Sequence, residues 1–105
     1  MSWVKFDVQS DGRFLASLKD LGSESGDRIL AMLDNMSGHV SWNQMIRDYH
    51  WHEVILASTD SFPSANQLYS FVLYLSTTEV YEVFAHNFAP PEVVCVLARV
   101  VKLGQ

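Results

Sequence analysis

The sequence predicts an α+β fold: an N-terminal strand, two or three helices, then a mainly antiparallel sheet of about four further strands with the helices packed on one face. Three observations carry that expectation. Apolar residues recur at helical spacing between Phe14 and Met36. Ser41 and Gln44 stand three apart, in the pattern of a capping box ahead of a third helical stretch. Beyond Trp51 the pattern turns extended and ends in residues 92–103, where seven residues are Val or Leu and five of those are Val; β-branched side chains at that density favour a strand buried on both faces.

Taken in order, residues 2–9 form the first strand, with Trp3, Val4, Phe6 and Val8 set against polar Lys5 and Asp7. Asp11 and Gly12 break it and cap the first helix. Phe14, Leu15, Leu18 and Leu21 then share a helical face, with Gly22 placed as the residue that stops the helix. Ser23, Glu24, Ser25 and Gly26 read as a polar turn. Ile29, Leu30, Leu33 and Met36 give a second helix ended by Gly38, so the two make an antiparallel hairpin. In the third helix, Val40 and Met45 are spaced as a hydrophobic staple around the Ser41 cap, and the helix stops near His50. Residues 51–58 and 67–76 are the next strands, separated by a polar loop at 59–66. Thr77 and Thr78 turn the chain, residues 79–86 return antiparallel, and the segment from Asn87 to Pro91 breaks it again before the last strand.

The chain has 105 residues, 49% of them hydrophobic and 18% charged, which suits one compact domain over residues 1–105. Seven Lys and Arg face twelve Asp and Glu, for a net charge of −5, and no two cations are adjacent. Contacts to phosphates need clustered cations, so the composition points away from direct nucleic-acid binding and from a polybasic membrane segment. The lone Cys95 excludes an intramolecular disulfide and a cysteine zinc cage, and its apolar neighbours mark it as a core residue. The first residues lack the basic-then-apolar pattern of a secretory leader, so a soluble cytoplasmic protein is expected. Neither a phosphate-cradling glycine loop nor a nucleophile elbow is present, and no cofactor is called for.

The order of elements resembles that of the RelE/ParE toxins of bacterial toxin–antitoxin systems, and three short segments add to the likeness. Trp51, His52, Glu53 and Val54 stand where those toxins carry a Trp-His segment entering the sheet. Leu68, Tyr69, Ser70, Phe71, Val72 and Leu73 resemble their Leu-Tyr-Ser strand, and Val80, Tyr81, Glu82, Val83 and Phe84 the strand after it. The resemblance implies cleavage of messenger RNA, with His52, His86, Tyr81 and Arg99 as its catalytic candidates. It also implies basic residues on the sheet, and there the sequence departs: Val72, Glu79 and Val80 occupy positions where arginines are common. Without such cations the phosphate charge is not offset.

Other candidates come from the residues themselves. His50 and His52 are two apart, as a metal pair in a strand would be, with Asp48, Glu53 or His86 as a third ligand; the competing interpretation sets His50 at a helix C-terminus. Asp20, Glu24, Asp27 and Asp34 lie along the first two helices and offer a negative face to a basic protein, a nucleic-acid-binding protein among the candidates. Phe62 and Phe88 each stand near prolines in loop-like segments and are candidate contact residues. The sequence thus favours a small acidic, non-enzymatic binding protein that occludes a macromolecular partner, as an immunity, anti-defence or regulatory inhibitor does. The RNA-cleaving toxin is the alternative. An unprotected edge, the first strand or residues 51–58, would also permit a homodimer.

Overall fold

The computed structural model describes residues 3–54, 68–88 and 94–103. Its elements are β1 (Lys5–Asp7), α1 (Gly12–Asp20), α2 (Ser23–Met36), α3 (Trp42–Asp48), β2 (His52–Val54), β3 (Leu68–Tyr74), β4 (Val80–Phe88) and β5 (Val94–Leu103). The strands make one sheet in the order β1-β5-β4-β3-β2, with β1 parallel to β5 and every other pair antiparallel. This is the expected α+β architecture.

Local chemistry sets most of the boundaries. Asp7 Oδ1 accepts the backbone N–H groups of Gln9 and Ser10 at 2.9 and 3.0 Å, which curls the chain and leaves β1 shorter than the expected strand over 2–9. Asp11 caps α1 by accepting the Arg13 N–H at 3.0 Å. Gly22, at φ 98°, is the stop expected after α1. The expected polar turn over Ser23, Glu24, Ser25 and Gly26 is instead the first turn of α2. One glycine in a backbone region open to few other residues makes the whole reversal, so no further loop is required. Glu24 in that first turn suits the positive end of the helix. Gly26 is buried against α1, where an added Cβ would sit 3.4 Å from Leu18 Cγ. The Ser41–Gln44 capping box of α3 is formed in both directions.

The helices cover one face of the sheet. Phe14, Leu18, Ile29, Leu33 and Met45 pack with the inward residues Phe71, Leu73, Tyr81, Val83, Leu97 and Val100 in one buried cluster. A bulge shifts the β4–β5 register: Phe84 opposes Arg99, but Ala85 opposes Leu97. The extra residue, Ala98, belongs to a separate small cluster with Leu68, Val54 and Phe84, and both Leu97 and Val100 keep their places in the main core. Trp51 links α3 to the sheet, stacking on Tyr69 at 4.9 Å and meeting Trp42 edge-on at 5.2 Å.

The edge at β1 is occupied by the chain itself. Val4 N–H donates to the Val40 carbonyl at 2.8 Å, the Val4 carbonyl accepts from Gly38 N–H at 2.7 Å, and Phe6 N–H donates to Ser37 Oγ at 3.2 Å. These bonds occupy three of the backbone groups along this edge, from Val4 to the Phe6 N–H. Of the other expected edge, 51–58, β2 spans His52–Val54, and residues 55–58 lie outside the described residues.

Candidate functional site

Two arrangements stand apart from the core. The first lies on the face of the sheet away from the helices and joins three strands. Register sets His52 of β2 opposite Ser70 of β3. Ser70 in turn neighbours Phe84, two residues beyond Glu82 on β4. Ser70 Oγ donates to Glu82 Oε2 at 2.9 Å and lies 3.2 Å from His52 Nε2, while His52 Nδ1 lies 2.7 Å from the His50 carbonyl. His50 itself sits in the left-handed region at φ 59°, in the turn between α3 and β2.

This row is not the relay of a serine hydrolase. There the imidazole stands between hydroxyl and carboxylate, whereas here the hydroxyl stands between the other two. Ser70 is also fully buried, so no substrate carbonyl can reach its oxygen. The row fastens β2 to β3 and β4.

The second arrangement is on the helical side. Glu24, Asp27 and Asp34 are spaced three and seven apart on α2 and form an exposed stripe, and Asp20 at the end of α1 is exposed as well. Arg28 sits on the far flank of that stripe and is drawn to Glu79 at 2.6 Å, tying α2 to the start of β4. The Arg28 guanidinium holds the Glu79 carboxyl below its ordinary value. Between α2 and β1 runs a cleft of about 260 Å³, with Phe6, Val8, Leu30 and Leu33 as its apolar lining and Asp34 and Ser37 as its polar members.

The candidate catalytic residues do not converge. Tyr81 points into the core, 1% exposed, with its hydroxyl donating to Glu79 Oε2 at 3.4 Å. His52 is on the opposite face, held by Ser70. His86 Nε2 lies 3.8 Å from Asp11 Oδ2, a pair that is ionic when the imidazole is protonated. Arg13 chiefly, and His86 to a smaller degree, lower the Asp11 carboxyl from its usual value. Arg99 is exposed beside the bulge on β5.

The proposed metal pair diverges as well. The His50 ring meets Tyr74 edge-on at 6.3 Å, and the His52 ring turns to Ser70. Among the described residues no three His, Cys, Asp or Glu side chains gather as a metal site would require. Cys95 is buried, and burial pushes its thiol up to about 12.

Asp20, Glu24, Asp27 and Asp34 are exposed as the sequence indicated. Phe62 lies outside the described residues. Phe88 ends β4 opposite Val94 and not in the expected break; its side chain, too, lies outside the described residues. The pairing of β4 with β5 carries the strand two residues past His86. Sequence reasoning missed the role of Ser70, whose signal was a small polar residue midway along an otherwise apolar and aromatic strand.

Among the described residues no helix is long and apolar enough to cross a membrane. Comparison of the chain with known protein families, with curated proteins and with solved structures returns no match.

Proposed function

We propose that this chain is a small acidic binding protein that acts by occluding a basic macromolecular partner, in the manner of an immunity, anti-defence or regulatory inhibitor. The observation that carries the reading is the exposed stripe of Glu24, Asp27 and Asp34 with Asp20 beside it, bordering an apolar cleft. Opposed charge speeds association and rejects wrong partners, and apolar area next to it supplies affinity that salt does not screen. Burial of Tyr81 in the core, with His52 held by Ser70 on the opposite face and His86 set against Asp11, supports binding over RNA cleavage.

Expression of the tagged chain by itself tests this. Growth should continue unchanged, and a protein with excess positive charge should co-purify and be released as salt is raised. Growth arrest with fragmented RNA, relieved by His86→Ala, would overturn the proposal in favour of a RelE-like toxin.

A further inference from the structure

We propose that the cleft between β1 and α2 receives a single lysine side chain of the basic partner, an inference that rests on the binding function proposed above and locates its point of specific contact. Five of the ten acidic side chains among the described residues are already engaged. Asp7 accepts from Ser10, Asp11 pairs with Arg13, Asp48 with Arg47, Glu79 with Arg28, and Glu82 accepts from Ser70. Asp34 makes no hydrogen bond or ion pair within the described residues, and it is the acidic residue that borders the cleft.

The cleft offers what a lysine carries. Phe6, Val8 and Leu30 are each only partly buried and line it with apolar surface, on which a four-carbon stem can lie while its ammonium stays at the rim. Asp34 supplies the opposite charge there. Ser37 Oγ accepts one bond, from Phe6 N–H at 3.2 Å, and keeps a second lone pair. An ammonium has three donors for these acceptors and for water. A carboxylate-bearing side chain would be repelled, and an uncharged aliphatic one would leave Asp34 unanswered.

The test is an amide NMR titration of the full chain with a short acetylated peptide holding one lysine between glycines, and with its norleucine counterpart. The lysine peptide should shift the amides of Phe6, Val8, Leu30 and Asp34. Its affinity should fall about threefold in Asp34→Asn, the scale of one exposed charge contact. The norleucine peptide, which keeps the stem and lacks only the ammonium, should shift the same amides with about threefold weaker affinity. Leu30→Phe, which fills the cleft without changing charge, should weaken the lysine peptide while the rest of the amide spectrum reports an intact fold. Equal binding by both variants and the wild type would overturn the cleft as the site. Shifts confined to Asp20, Glu24 and Asp27 would also overturn it, yet would leave the acidic-face function standing. No shift anywhere would overturn the lysine site and leave the wider function to the separate tests of growth and partner capture.

Discussion

Replacing Ser70 by alanine gives the sharpest test of how the open face of the sheet is held. A serine hydroxyl has one hydrogen. It goes to Glu82 Oε2 at 2.9 Å, and the same oxygen meets His52 Nε2 at 3.2 Å. His52 Nδ1 faces a carbonyl at 2.7 Å, which only accepts, so that nitrogen donates. Ser70→Ala removes both side-chain contacts, nominally about 0.5 to 1.5 kcal/mol each. His52 is exposed and Glu82 half-buried, so both regain water, and the expected net loss is about 1 to 2 kcal/mol. Urea unfolding followed by circular dichroism measures it. A loss below about 0.5 kcal/mol would refute the reasoning.

Three further outcomes rest on local geometry. Ser41→Ala removes the capping box of α3 and should lower stability by about 1 kcal/mol in the same unfolding assay. Asp11→Asn keeps a residue able to cap α1 but removes the carboxylate that Arg13 holds below its ordinary value. A carboxyl depressed in the folded state stabilises above its unfolded value, about 3.9, and that contribution disappears as pH falls through the folded value; the variant should therefore show a shallower loss of stability on the acid side, read by urea midpoints across pH. Cys95, with its thiol pushed up to about 12, should resist iodoacetamide in the native protein and react promptly once unfolded, as mass spectrometry of the alkylated chain would report.

Where a signal was local and backbone-driven, it was legible in the residues. The Ser41–Gln44 box, the Gly22 stop and the hairpin across Thr77 and Thr78 each depend on a few neighbouring side chains, and each forms. The start of α2 was not legible, because a polar Ser-Glu-Ser-Gly string suits a turn as well as a first helical turn. Its outcome rests on Gly22 making the reversal alone and on Gly26 fitting against Leu18. The parallel pairing of β1 with β5 is equally silent in sequence, since it joins residues some ninety positions apart. At the candidate site, the acidic stripe could be read from helical spacing. The Ser70 row could not, because it needs the register of three strands, two of them far from His52 in the chain.

The central claim is that the acidic face of α1 and α2 engages a basic partner. The most direct measurement compares the proteins retained from cell extract by the wild-type chain with those retained by a variant carrying Asp20→Asn, Glu24→Gln, Asp27→Asn and Asp34→Asn, quantified at low and at raised salt. At least one positively charged protein should be held by the wild type at low salt, lost at raised salt, and absent from the variant. Equal retention of that protein by both chains would contradict it.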